Sequence, residues 1–250
     1  DSNKKLLVKK AQPLNGSDQY VPGCDESKFA ITAYSYYTDA EALSLFQTNG
    51  KGLLKSATDP EGNETIYTYD IDGNIKTVKD PEQNVTTNTY NRLGLKTSIL
   101  SHGQHNTSCE YDKNGLLLKQ TLHGGEATRI VYDKEGRKLQ EIQPKQYNST
   151  VDNLANRQYN DNTAGYRYTY FDNGLLKSET DPENNTTAYT YDVYGNKLTK
   201  TRPNGSVMRY EYDIMDRLKK VCFKDNGTAP EYALYEYSYA VLDDGRTQKT

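Results

Sequence analysis

The chain has 250 residues, enough for one large domain or two small ones, and its net charge of -3 comes from 31 basic and 34 acidic residues spread along its length. That balance leaves no electrostatic footprint for nucleic acid or an anionic membrane, and no apolar stretch is long enough to cross a bilayer as a helix. Hydrophobic residues make up only 34%, yet 23 Tyr and abundant Thr argue against disorder, which is poor in aromatic and β-branched residues.

Residues 1–33 read as a lead-in segment. The opening Asp1-Ser2-Asn3-Lys4-Lys5 shows neither an initiator Met nor a leader pattern, which points to a chain that begins and ends inside a longer polypeptide. From Tyr34 to Thr250 the sequence reads as an array of one unit, with Tyr34/Tyr36 as its first outlying copy. An insert at about 37–51 follows, in which Asp39 to Phe46 is predicted to be a short helix with Asp39 as its N-cap. The tyrosines of a Tyr-Asp-x-x-Gly pattern then stand at 69, 90, 111 and 132, a step of 21 residues, and again at 170, 191 and 212. A period of this length is the mark of a repeat architecture. A second insert at about 145–165 interrupts it, with Asp152 to Asn156 as a predicted helical turn, and a third at about 224–233 precedes the last copy, Tyr237/Tyr239.

Within one unit, Asp59-Pro60-Glu61-Gly62 predicts a turn: Pro presets φ, Asp accepts backbone N–H groups and Gly takes positive φ. Thr65 to Tyr69 alternates as a strand, with Thr65, Tyr67 and Tyr69 on one face and Ile66 and Thr68 on the other. Asp70-Ile71-Asp72-Gly73 predicts a hairpin turn, and Asn114-Gly115 and Asn173-Gly174 place a strong hairpin dipeptide at the same spot. In the second strand the apolar position wanders: Leu176 lies two residues past its Gly, Leu139 and Leu198 three past theirs. Local bulging or a two-sided strand both fit that wander. The expected fold is all-β: an array of ~21-residue hairpins forming one long curved sheet, because open twisted sheets rarely exceed about ten strands without curling.

The chemistry-bearing residues have plain structural readings. His102 and His105, with His123 further on, lack the further ligands a metal would need. Cys24, Cys109 and Cys222 are odd in number and carry no metal spacing. Asp59, Asp70, Asp72, Asp80, Asp112, Asp133, Asp181, Asp192 and Asp213 fall at turns, where a carboxylate serves as acceptor for turn N–H groups. Asn-x-Ser/Thr matches at Asn63, Asn84, Asn106, Asn148 and Asn185 follow from the repeat itself. No catalytic, cofactor-binding or metal residue is assigned, no cofactor is expected, and the chain reads as a non-enzyme.

The pattern Asp-Pro-x-Gly-Asn-x-Thr-x-Tyr-x-Tyr-Asp-x-x-Gly-Asn/Arg, near-ideal in Asp59 to Asn74 and in Asp181 to Asn196, resembles the RHS/YD-repeat family. Two departures, Phe171 after Tyr170 and Asp216 in place of the last Gly, bear on local turn geometry. The resemblance implies hairpins that spiral into a hollow shell, as in bacterial polymorphic toxins and the shell subunits of insecticidal toxin complexes. It also implies a secreted or cell-surface parent protein whose other repeats and C-terminal effector are this segment's partners. The function expected is therefore structural, encapsulating or displaying that effector. The alternative is an adhesin-like module binding cell-surface glycans through tyrosines exposed near the first two inserts. Neither nucleic acid nor membrane insertion is expected.

Overall fold

In the computed structural model the residues described are 7–14, 19–21, 24–48, 52–241 and 247–249. The chain divides into two units, residues 1–126 and 127–250. In the first, β1 (Lys9–Pro13), β2 (Phe29–Tyr36), β3 (Leu54–Thr58), β4 (Glu64–Tyr69), β5 (Ile75–Lys79), β6 (Val85–Tyr90), β7 (Lys96–Ser101), β8 (His105–Tyr111) and β9 (Leu117–Thr121) pair antiparallel in chain order. In the second, β10 (Ala127–Tyr132) and β11 (Lys138–Ile142) precede a small hairpin of β12 (Asp152–Asn153) and β13 (Gln158–Tyr159). Pairing resumes from β11 to β14 (Tyr166–Tyr170), then β15 (Leu176–Thr180), β16 (Thr186–Tyr191), β17 (Lys197–Thr201), β18 (Val207–Tyr212), β19 (Leu218–Lys224) and β20 (Glu231–Glu236). A short hairpin of β21 (Tyr239–Val241) and β22 (Thr247–Lys249) follows. The expected all-β array of antiparallel hairpins is what the structure shows.

One turn makes nearly every connection. In the hairpin turn after Tyr69, Gly73 N–H donates to Asp70 O, Asp70 N–H donates to Asn74 O, and Asp70 Oδ1 accepts from the N–H groups of Asp72 and Asn74. That is a type I turn closed by a residue in the left-handed region, the three-residue hairpin loop. The return turn at Asp59 repeats it bond for bond, with Asn63 Nδ2 clamped on Asp59 Oδ2 at 2.9 Å. The two turns that the sequence distinguishes are thus one motif, Asp-x-x-Gly-Asn. It is also why Asn114-Gly115 and Asn173-Gly174 do not form the two-residue loops their dipeptides suggest: Asn sits at the third position of a turn that begins at Asp112 or Phe171.

The departures keep this geometry. Phe171 contributes only backbone, accepting from Gly174 N–H and donating to Leu175 O, while Asn173 Oδ1 supplies a side-chain acceptor to Leu175 N–H. Asp216 adopts the left-handed conformation itself, at φ 57°. Gln83 does the same at φ 71°, where its side chain makes one long bond to Pro81 O. Left-handed φ costs a non-glycine residue about 1–2 kcal/mol, of which the freer unfolded chain of a glycine returns about half. Gln83→Gly is therefore expected to stabilise the chain by about 0.5–1 kcal/mol, read as a raised midpoint in urea.

The wandering apolar position resolves as a bulge. Thr68 pairs with Thr77 but Tyr69 with Ile75, leaving Lys76 extra. The same shift recurs in each of eight hairpins, leaving Lys55, Lys76, Thr97, Leu118, Leu139, Lys177, Leu198 and Lys219 extra, each three residues past the turn's left-handed residue. Positions two and three past that residue can therefore both carry an apolar side chain.

The bulge is where the tyrosines act. Tyr69 OH donates to Leu54 O at 2.9 Å, Tyr90 OH to Ile75 O at 2.7 Å and Tyr212 OH to Lys197 O at 3.0 Å. Each acceptor lies beside the bulge of the preceding hairpin. Tyr170 to Lys138 O and Tyr239 to Leu218 O, both at 2.8 Å, keep the bond across the second and third inserts. Edge-on ring contacts appear at Tyr37–Tyr69 and Phe171–Tyr191, and cations lie over Tyr170 (Arg137, 4.9 Å) and Tyr239 (Arg217, 4.3 Å). The opposite side of the strand carries hydroxyl pairs: Ser35–Ser56, Thr68–Thr77, Thr169–Ser178 and Thr190–Thr199.

β1 lies within residues 1–33 and pairs with β2 from Lys9↔Ala33 to Pro13↔Phe29. Two local expectations are corrected. The helix α1 (Asp39–Phe46) is capped by Thr38, not Asp39. Thr38 can reach Glu41 N–H while Glu41 reaches back to Thr38 N–H, a reciprocal pair that Asp39 cannot complete. Those bonds, with the Lys55 ammonium, hold the Glu41 carboxyl down to about 2. Residues 152–156 are not helical: Asp152 and Asn153 form β12, and a turn returns the chain to β13.

Candidate functional site

The most heavily built feature is the second insert, in the second unit. Arg129 projects from β10, fully buried, and its Nε donates to Asp152 Oδ1 at 2.8 Å. Tyr147 OH donates to Asp152 Oδ2 at 2.9 Å. The buried Tyr159 accepts from Asn148 N–H at 2.7 Å and donates to Gln146 O at 3.2 Å, knitting the ends of the insert together. Gln140 Nε2, on β11, donates to the carbonyls of Asp161 and Ala164, both at 2.7 Å. Gly165 closes the insert: a Cβ there would lie 2.2 Å from Glu141 O. A buried ion pair and an amide thus fasten 144–165 to β10 and β11, while two phenols knit the insert to itself. These groups orient backbone. A groove of about 580 Å³ lies beside them, lined by Val131, Leu139, Asn162, Arg167 and Asn184 among others.

The residues singled out in the sequence fall as follows. The rings of His105 and His123 stack 4.5 Å apart, and His102 begins a short 3-10 turn, His102–Gln104. Among the described residues no group of three or more His, Cys, Asp or Glu converges to hold a metal. Cys24 and Cys109 are half-buried, Cys222 is buried, and all three are free thiols; burial pushes the Cys222 thiol up. Asp59, Asp70, Asp80, Asp112, Asp133, Asp181, Asp192 and Asp213 each accept turn N–H groups. Asp72 differs: it occupies the third turn position, and its own N–H donates to Asp70. Asn63, Asn84 and Asn185 use Nδ2, the atom a glycan would take, to clamp the turn carboxylate. Sequence reasoning missed Arg129, Asp152 and Gly165. The available signal was an Arg where other copies carry Ile66, Thr87 or Ser108, in the hairpin just before the longest insert.

The clamps set a pH window. Asn63, Asn84, Asn185 and Arg217 hold the carboxyls of Asp59, Asp80, Asp181 and Asp213 below the usual carboxylate range. Their stabilisation is present above the unfolded value of about 3.9 and is lost as pH falls through the lower folded values. Burial raises Tyr69, Tyr90 and Tyr170, whose stabilisation is present below about 10 and is lost as pH rises through the raised folded values. Scanning calorimetry is expected to find a Tm that is level between about pH 5 and 9 and falls on both sides.

Residues 49–85 and 170–207 match the family model described as RHS Repeat. Those two segments are RHS repeats. No curated protein matches the sequence. Among solved structures, this chain is similar to TcdB2-TccC3 without its hypervariable C-terminal region, at TM-score 0.65 and 15% identity over 97% of this chain and 12% of that one. It is also similar to TcdB2-TccC3 at TM-score 0.43, 16% identity, 97% and 15% coverage, and to the Photorhabdus luminescens Tc holotoxin pore at TM-score 0.38, 14% identity, 88% and 13% coverage. The chain spans about an eighth of the length of the first of these, and that likeness is one of fold.

Proposed function

We propose that residues 34–250, with inserts at about 37–51, 145–165 and 224–233 and residues 1–33 leading in, are a non-enzymatic wall segment of an RHS shell. The parent is a large secreted or surface-attached bacterial protein, and the wall encloses or displays its effector domain. The observation that carries this reading is that the recurring polar chemistry of the copies is spent within the wall. The turn carboxylates close turns, and the tyrosine hydroxyls tie one hairpin to the next. The fold shared with TcdB2-TccC3 supports it. Among the described residues no helix is long and apolar enough to cross a membrane. The glycan alternative needs open rings near the first two inserts, where Tyr37 and Tyr159 are buried and Tyr166, beside the second, is 39% exposed. Electron microscopy of the full-length parent tests the proposal: a hollow shell with density inside is expected, and a solid or extended rod overturns it.

A further inference from the structure

We propose that three neighbouring hairpin tips of the second unit, at 171–174, 192–195 and 213–216, form a docking rim for a basic amphipathic helix of a partner protein. The second and third positions of a type I turn accept most residues, and other copies place at most one apolar residue there, as in Ile71-Asp72, Arg92-Leu93, Lys113-Asn114, Lys134-Glu135 and Asp172-Asn173. At the last two tips they are Val193-Tyr194 and Ile214-Met215, exposed to 92%, 80%, 104% and 67%. The turn's hydrogen bonds run through Asp192, Gly195, Asp213 and Asp216 and require none of these side chains. Four large apolar groups on adjacent tips are what an interaction site shows.

Between those tips lies a cavity of about 570 Å³, walled by Tyr194, Leu198, Tyr212 and Ile214 and edged by Asp192, Asp213 and Asp216. A second, of about 350 Å³, adjoins it at Asp192 and is lined by Phe171, Asp172 and Tyr191. Of the four carboxylates, Asp213 is paired with Arg217, and Lys177 lies over the Phe171 ring at 5.8 Å. The rim therefore keeps a negative excess, which disfavours an anionic membrane or nucleic acid and favours a cationic partner.

Spacing selects the partner's conformation. Successive tips are two strands apart, about 9.6 Å, and helix positions seven residues apart rise about 10.5 Å on one face. Like-faced positions of an extended peptide recur at about 6.8 Å and fall out of step. Four tip side chains also offer far less than the roughly 800 Å² per partner of a standard interface between whole proteins, whereas a helix seats itself on a few anchors. The inference is independent of whether the wall encloses an effector.

The test uses the 250-residue chain and two synthetic helices with leucine at heptad positions, one otherwise lysine-rich and one glutamate-rich, titrated by fluorescence anisotropy. The lysine helix is expected to bind, to weaken at least about tenfold against the combined Val193→Ser, Tyr194→Ser, Ile214→Ser and Met215→Ser variant, and to be unaffected by Ile71→Ser with Leu93→Ser, two exposed tips of the first unit. The glutamate helix is expected not to bind. Equal affinity of the lysine helix for the wild type and the four-tip variant overturns the proposal. So does sedimentation showing that the wild type self-associates through these tips, since a second copy would then be the occupant.

Discussion

Arg129→Met is expected to destabilise the chain by about 3–5 kcal/mol, because it leaves the Asp152 carboxylate buried with only Tyr147 OH for company. The side chains of Arg129 and Asp152 are 0% and 5% exposed, so water cannot replace the lost partner. Desolvating two ions costs nearly what their attraction returns, and the pair is therefore expected to matter more when broken than when removed whole. Arg129→Met combined with Asp152→Leu should recover most of the loss. Urea unfolding of both single variants and the double variant closes the cycle, and a double variant as unstable as the sum of the singles would show that the pair is not the fastening. Limited proteolysis gives a second reading: cleavage between Tyr147 and Thr163 should rise in Arg129→Met.

Gly165→Ala is expected to cost roughly 2–5 kcal/mol, the sum of left-handed strain and a forced backbone shift. Its Cβ would sit 2.2 Å from Glu141 O and 2.8 Å from Glu141 C, and these are backbone atoms of β11, not the far end of a flexible side chain. Gly62→Ala is the matched control. Gly62 has φ 86° and nothing within 4 Å, so it carries the conformational strain without the collision. A Gly165→Ala variant no less stable than Gly62→Ala in urea would show that the insert does not approach β11 as closely as described.

The period carried most of the fold into the sequence. A 21-residue step fixes where each tyrosine and each turn must fall, and Asp-x-x-Gly-Asn states its own hydrogen bonds, since Asp is the acceptor and Gly takes the positive φ. The bulge was only half legible. Leu176 and Leu139 disagree by one residue because Leu139 is itself the extra residue of its hairpin whereas Leu176 stands just before one, Lys177, which alternation alone cannot express. The cap of α1 was misplaced by one because Asp39 is a good cap by type, whereas Thr38 wins through its reciprocal bond with Glu41. The fastening of the insert was illegible for a different reason. Arg129 and Asp152 are 23 residues apart and belong to no repeated pattern, so nothing local pairs them. The docking rim was legible in residue type and missed because the turns were read for what closes them, not for what they display.

Every connection of this turn satisfies its own backbone, and in eight hairpins the bulge falls at the same offset. A block of 21 residues can therefore be duplicated or deleted by recombination with the chain on either side still in phase, tyrosines facing as before. Loss or gain of a single residue in a strand would instead invert the facing of everything paired beyond it. Array length is thus a quantity that genomes can adjust in whole steps at small structural risk.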